Sequence, residues 1–529
     1  MLVTCLLIEP FIKFILRTFF AQSEPKNLDS KVIILETFDK LDYFIGSFIH
    51  RSLSLNSNSS ELVVLTNKFK SFNNFIFWTV KFKLIPGFNI FSILNLILES
   101  LKYSLVVANF SIKSVSVIKD ISLDNFQIGK EIISKLTTQR NFHKRHKLTL
   151  GFRISIFLLL FSEVFTYKLF KQLFTYTRPK IIIVNEIYWF PWSSLTRAAI
   201  HHNISCIQYV GCQEFNAVYF RKINKSNFYR HPTDVDLNNY YDFLRNVNVV
   251  NIDIANYVSN LYDQNNWFAR NQKKIVENKL SKLNIDLIKS TSSNKLIVGV
   301  FPHIFWDAAS IYGDDLFINY YDWFLKLLDY INSRQSSNIK WVIKMHPDLV
   351  FKSTLNNRVT KMMNKYLNEL QIRNSDVNVI WPVDEVRTDH LLKILDYCVT
   401  VRGTVGIESS ILGVKTITAG TGRYSNRNFT IDPTTIDNYF EVLNSLDRDF
   451  GLSLDFINKA QSYAKVIFLA LPFRFKSQVF NSEKVGLNPL DNALSLITED
   501  DLKAFGEWYS SSEVNYVTNP LIFQRKNDN

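Results

Sequence analysis

From Leu296 to Ala419 short, largely apolar runs alternate with stretches of helical periodicity, and this alternation constrains the fold more than any other feature. Leu296–Phe301, Trp341–Met345, Tyr397–Val401 and Thr416–Ala419 are strand-length runs that carry few charges. Such runs suit strands buried on both faces, as in a parallel sheet covered by helices. Between them, Asp322–Ile331 sets Phe324, Leu327, Leu328 and Ile331 on one helical face, and His390–Leu395 and Thr404–Leu412 form two further crossovers. Right-handed βαβ units in a Rossmann-like sheet are the expected outcome. The first half repeats the pattern in Val32–Leu35, Leu62–Leu65, Leu105–Ala108, Ile181–Val184 and Cys206–Tyr209. A helical stretch over Asn265–Ile288 then ends in the polar run Lys289–Asn294, which predicts a boundary. The expected class is α/β, with two Rossmann-like domains facing a cleft. Residues 1–290 form the first, residues 295–460 the second, and residues 461–529 a helical segment (Ala460–Leu471, Thr498–Ser510) that packs back on both.

With 529 residues the chain has ample length for several cores. Its net charge of +13 calls for an anionic partner. Nucleic acid is not expected, because no helix-turn-helix, zinc-finger or RNP pattern accompanies the charge. The four cysteines, Cys5, Cys206, Cys212 and Cys398, show neither zinc-site spacing nor the density of a disulfide scaffold, which suits a reducing cytoplasm. The apolar N-terminus is broken by Glu9, Pro10, Lys13 and Arg17, and Ile154–Phe161 is only long enough for a buried helix, so no transmembrane helix is expected.

Three strand ends carry the chemistry. Tyr397–Val401 runs into Arg402-Gly403-Thr404-Val405-Gly406 and then a helix containing Glu408, with Gly413 at its end. A strand, a Gly-Thr-x-Gly turn and a helix start together present backbone N–H groups to a phosphate at the carboxyl edge of a sheet. Glu408, one turn in, can accept from ribose hydroxyls; its plain alternative is an acid that complements the helix dipole. Lys344 and His346 leave the next strand together, with Pro347 fixing the loop. His303 and Asp307 leave the first strand of this half in the same way, Asp307 serving either to position a hydroxyl or to cap a helix.

These segments resemble the capsule and surface polysaccharide biosynthesis glycosyltransferases of the GT-B class, Kdo-transferase-like proteins among them. The resemblance rests on Phe301-Pro-His-x-x-x-Asp307, Trp341-Val-Ile-Lys-Met-His-Pro347, Arg402-Gly-Thr-Val-Gly-Ile-Glu408, Gly413-Val-Lys-Thr-Ile417 and Ala419-Gly-Thr-Gly-Arg-Tyr424 with Phe429-Thr430. It covers about residues 295–445 well and the first half in outline, where Ile181–Tyr188 and Ile204–Tyr209 look like the last βαβ unit of an acceptor domain. It implies that Lys344, His346, Pro347, Arg402, Gly403, Thr404, Gly406, Glu408, Arg423 and Tyr424 bind a nucleotide sugar, with no metal and no cofactor. The second substrate would be a glycan or a lipid-linked acceptor. Relatives often carry a His-Gly pair after the glutamine matching Gln208, where this chain reads Tyr209-Val210-Gly211. Glu186 and Glu214, near first-half strand ends, are the candidate bases beside His303 and Asp307; loop or cap roles are the alternative for both glutamates.

The competing functions are a polyol-phosphate transferase of teichoic-acid type using a CDP-alcohol, a nucleotide-sugar epimerase, and an inactive GT-B scaffold. The densest basic run, Arg140-Asn-Phe-His-Lys-Arg-His-Lys147, is either a solvated loop or a contact for anionic lipid. A cytoplasmic enzyme, peripheral at the inner face of the membrane, would satisfy that run and a lipid-linked acceptor together.

Overall fold

The computed structural model describes residues 32–37, 40–54, 61–66, 90–108, 115–137, 150–177, 179–185, 187–188, 190–263, 280–290, 292, 294–305, 310–334, 338–347, 349, 357–382, 384, 386–447, 453–481 and 486–523. The class is α/β, and two sheets organise it. The first contains β1 (Val32–Thr37), β2 (Glu61–Thr66), β3 (Ile181–Val184), β4 (Ser205–Gly211), β5 (Ala217–Ile223) and, from far along the chain, β11 (Pro472–Arg474). Their order is β11-β5-β4-β3-β1-β2. The four strands from β4 to β2 are parallel, and β5 and β11 extend the sheet antiparallel.

The second sheet is wholly parallel, with β6 (Leu296–Val300), β7 (Ile339–Lys344), β8 (Val377–Ile380), β9 (Tyr397–Thr400) and β10 (Lys415–Thr418) in the order β10-β9-β6-β7-β8. The chain leaves β6 toward β7 and β8, then returns to β9 on the opposite side. That reversal makes the carboxyl ends of β6 and β9 a switch point, where crossovers diverge and leave a crevice.

The principal helices are α1 (Lys40–Ser54), α2 (Ile90–Val106), α3 (Ile128–Thr137), α4 (Leu150–Thr177), α5 (Trp192–His201), α6 (Ile254–Leu261), α7 (Tyr320–Ser333), α8 (Thr388–Leu392), α9 (Val405–Ile411), α10 (Leu454–Lys465) and α11 (Glu499–Ser510). One face of the first sheet is covered by α1 and α11, where Phe44 and Phe48 meet Phe220, Phe473 and Phe505. The other face packs on α3, α4 and α5. A separate core joins the two halves: it takes Tyr219 and Val258 from the first half, Ile407 and Tyr424 from the second, and Tyr463 and Phe468 from the C-terminal part.

The apolar run Leu105–Ala108, expected as a strand, instead continues α2, because Leu94, Leu98, Leu101 and Leu105 keep helical spacing up to it. Within these two sheets β5, β8 and β11 escaped the sequence reading; β5 and β11 carry Arg221, Lys222 and Arg474 within them. The C-terminal part contributes β11 to the first sheet as well as helices.

Helix α4 is long and apolar enough to cross a membrane by length and composition, and half of its apolar window is buried in the fold. It carries Glu163, which with Glu131 of α3 holds Arg197 of α5, all three buried. Ser194 adds a 2.7 Å bond to Glu163, and Tyr229 donates to Glu131. Burial raises the Glu131 carboxyl above its usual range, against the pull of Arg197. Removing one member of a buried ionic cluster strands the others, so Arg197→Ala should cost roughly 3–5 kcal/mol of unfolding free energy, read by urea denaturation. A loss below about 1 kcal/mol, the range of exposed pairs, would show that water reaches the cluster.

Candidate functional site

At the switch point, His303 follows β6 and Arg402 follows β9. The Arg402 backbone N–H donates to His303 Nε2 over 3.2 Å, so the ring proton resides on Nδ1. Burial, and after it the charges of Arg402, His346 and Arg423, push His303 down to about 3, so the ring is neutral at physiological pH. Tyr320 stacks on His303 at 4.7 Å and lies under the Arg402 guanidinium at 5.7 Å. Arg402 pairs with Asp315 through Nη2, while its Nε and Nη1 are buried with no protein partner.

Arg423 enters from the loop after β10. Its Nη2 donates to Thr404 Oγ1 (2.7 Å) and its Nη1 to Thr233 Oγ1 (3.1 Å); Nε is buried and unpartnered. The next residue, Tyr424, donates to the Gly403 carbonyl over 2.8 Å. Glycine is required at 406, since a Cβ there would collide with the Tyr424 hydroxyl. A Cβ at Gly422 would likewise strike Arg402. These glycines let two arginines approach one another from separate loops.

The first half supplies the rest of the cluster. His231 lies in the loop after β5, where its Nδ1 accepts from the Thr233 backbone N–H over 3.1 Å, leaving Nε2 as the protonated nitrogen. Burial, then Arg423, Arg221 and Arg402, hold His231 well below its ordinary value. Arg221 on β5 donates to Gln208 and to the Asn227 and Arg230 carbonyls, with Nη2 buried and unpartnered. Tyr463 of α10 donates to both the Thr233 and Arg423 carbonyls, which pins the two loops together. The result is a set of buried N–H donors from Arg221, Arg402 and Arg423 with two neutral histidines, an arrangement suited to an oxyanion.

Glu408, one turn into α9, lines a pocket of ≈ 250 Å³ with Ser259, Tyr262, Asp389 and Lys393. The Tyr262 hydroxyl donates to Glu408. Burial, opposed by that bond, raises the Glu408 carboxyl to about 7, with Asp389 adding to the rise. Lys344, buried at the end of β7, is pushed down to about 8 by burial against the attraction of Glu408, Asp384 and Asp389.

Of the expected site residues, the structure gathers His303, Arg402, Gly403, Thr404, Arg423 and Tyr424 directly around the switch point. His346 acts on His303 electrostatically, and Pro347 follows it in the same turn. Lys344, Gly406 and Glu408 belong to α9 and its flank. Glu214 is engaged elsewhere: Arg474 of β11 pairs with it at 2.6 Å and Tyr257 donates to it. His303 cannot act as a base through Nε2, whose lone pair is taken. Glu186 and Asp307 lie outside the described residues. His231, Thr233 and Arg221 were missed. The signal was present in His231-Pro232, a second His-Pro pair to set beside His346-Pro347.

No protein-family model matches the chain, and no curated protein does. Among solved structures it is similar to the KpsC β-Kdo 2,7 transferase of Thermosulfurimonas dismutans, at 14% identity and a TM-score of 0.33, over 63% of this chain and 88% of that one. It is also similar to the UDP-GlcNAc 2-epimerase of Neisseria meningitidis bound to UDP-GlcNAc, at 12% identity and a TM-score of 0.25, over 89% and 99%. S. aureus MnaA with UDP gives 12% identity and a TM-score of 0.26, over 82% and 91%.

A carboxyl raised from an ordinary 4.5 to about 7 stabilises the fold fully below 4.5 and loses that contribution as pH rises through about 7. His303 and His231, kept neutral by burial, act in the opposite sense below their ordinary value, in wild type and variant alike. The melting temperature of the wild type should therefore fall relative to that of Glu408→Gln across that window, and parallel pH profiles of the two proteins would show that Glu408 ionises normally.

Proposed function

We propose that this chain transfers a sugar from a nucleotide-activated donor to a hydroxyl of a glycan or lipid-linked acceptor, in a cleft between domains carried by the two sheets. The observation that supports this reading is the set of unpartnered, buried guanidinium nitrogens of Arg402 and Arg423 at the β6/β9 switch point. In such a transfer the bond from the anomeric carbon to the phosphate oxygen breaks, and a bond to the acceptor oxygen forms. The departing phosphate gains negative charge as the acceptor hydroxyl loses its proton. Fixed donors aimed at that charge lower the barrier because they need no reorganisation at the moment of reaction. Arg402, Arg423 and the Nδ1–H of His303 fill that role, and Glu408 receives a ribose hydroxyl. Glu186 is the candidate for taking the acceptor's proton.

A thermal-shift panel with CMP, CDP, UDP and GDP tests donor binding. A nucleotide at 100 times its dissociation constant adds about 2.7 kcal/mol of stability, and one of the four should raise the melting temperature of the wild type. Arg423→Gln should abolish that shift and lower turnover by on the order of 10²–10³. No shift with any nucleotide would remove the donor reading. Conversion of a nucleotide sugar without acceptor would favour epimerisation over transfer.

A further inference from the structure

Two members of the donor cluster, Arg221 and His231, come from the first half of the chain. Arg221 is 3% exposed and tightly held: Nε donates to Gln208 Oε1 over 2.7 Å, and Nη1 donates to the Asn227 and Arg230 carbonyls over 3.3 and 2.9 Å. Gln208 is itself fixed, donating to the Asn185 carbonyl over 2.7 Å. The guanidinium is therefore rigid, with Nη2 left buried and without a protein partner. Thr233 fixes His231 in turn. Its hydroxyl accepts from Arg423 Nη1 over 3.1 Å and lies 2.8 Å from His231 Nδ1, to which its own proton can go. The Thr233 backbone N–H donates to the same Nδ1, which confines the ring proton to Nε2, and Nε2 has no partner among the described residues. His231 thus stands between two arginines: one hydroxyl separates it from Arg423, and Arg221 grips the peptide that joins Arg230 to it.

Charge sets what this arrangement can hold. Asp315 neutralises Arg402, and Asp234 is paired with Arg427 at 2.7 Å, so among the described residues Arg221 and Arg423 are two cations without a paired carboxylate. A buried cation left unneutralised is costly. One esterified phosphate carries a single negative charge and would leave one of these arginines unpaired. Two linked phosphates, each ionised once, match both.

We propose that His231 Nε2–H and Arg221 Nη2 form a second anion subsite beside the one made by Arg402, Arg423 and His303, and that the two together hold a diphosphate. The first subsite rests on the donor-binding reading above, whereas the second rests on the first-half geometry. The diphosphate belongs either to a nucleoside diphosphate sugar or to a lipid-diphosphate acceptor, since both present the same pair of charges to fixed N–H donors.

The test is isothermal titration calorimetry of the full chain with the pairs CMP and CDP, UMP and UDP, GMP and GDP, and with phosphate and pyrophosphate. In the pair that binds, the diphosphate should be at least about tenfold tighter than the monophosphate. His231→Phe, which removes the N–H and keeps a ring, should erase most of that preference and leave monophosphate affinity as it was. Arg221→Gln should do the same; because Arg221 also holds the loop, His231→Phe, at a partly exposed position, decides the matter if Arg221→Gln lowers the melting temperature. Equal affinity for monophosphate and diphosphate in the wild type overturns the second subsite and leaves the nucleotide reading standing. A preference that survives His231→Phe overturns it too, as does a parallel loss of both affinities, the mark of a residue that only shapes its loop. If no nucleotide binds but pyrophosphate is held more tightly than phosphate, and His231→Phe removes the difference, the subsite stands, the diphosphate belongs to the lipid-linked acceptor and the nucleotide reading fails. Binding of none of these probes overturns both.

Discussion

A buried guanidinium with no carboxylate to neutralise it is expensive to maintain, by several kcal/mol after relaxation. Arg423 is such a group among the described residues: its hydrogen bonds go to two threonine hydroxyls, one from each half of the chain. Thr404 and Thr233 can meet it only because Tyr463 ties the Thr233 and Arg423 loops together and glycine at 406 admits the Tyr424 hydroxyl. Tyr424 and Tyr463 belong in turn to the core that joins the two halves. The architecture thus holds an unneutralised cation in place, and an anionic ligand is the natural counterpart.

The sheet order explains why this happens at one edge. Reversal at β6 sets the ends of β6 and β9 side by side, so His303 and Arg402 touch through a backbone hydrogen bond. The antiparallel β5 carries Arg221 and leads into the His231 loop on the first-half side. Carboxyls near the cluster are already committed: Asp315 to Arg402, Asp234 to Arg427 and Glu408 to the Tyr262 hydroxyl. Glu214, further off, is committed to Arg474, which joins the C-terminal strand to the first sheet. Positive charge is left in excess where the strands end and balanced where the fold needs only rigidity.

The second sheet was legible in the sequence because each buried parallel strand must be apolar on both faces, and four of its five strands were located within a residue or two. The donors His303, Arg402 and Thr404 were legible for a related reason, since strand ends in such sheets converge on one edge. Leu105–Ala108 was misread because a short apolar run has the same composition in a strand and in a helix. β5 and β11 were missed because charged residues within them, Arg221 and Lys222 in β5 and Arg474 in β11, interrupt the apolar runs by which strands were recognised. His231 and Arg221 could not be assigned to the cluster from spacing, since they lie far in sequence from Arg402 and Arg423. The sequence by itself therefore determined the alternation of strands and helices and the chemistry available at their ends. Tertiary structure alone decided which cations lost their carboxylates, because burial and pairing depend on contacts between segments that local sequence does not encode.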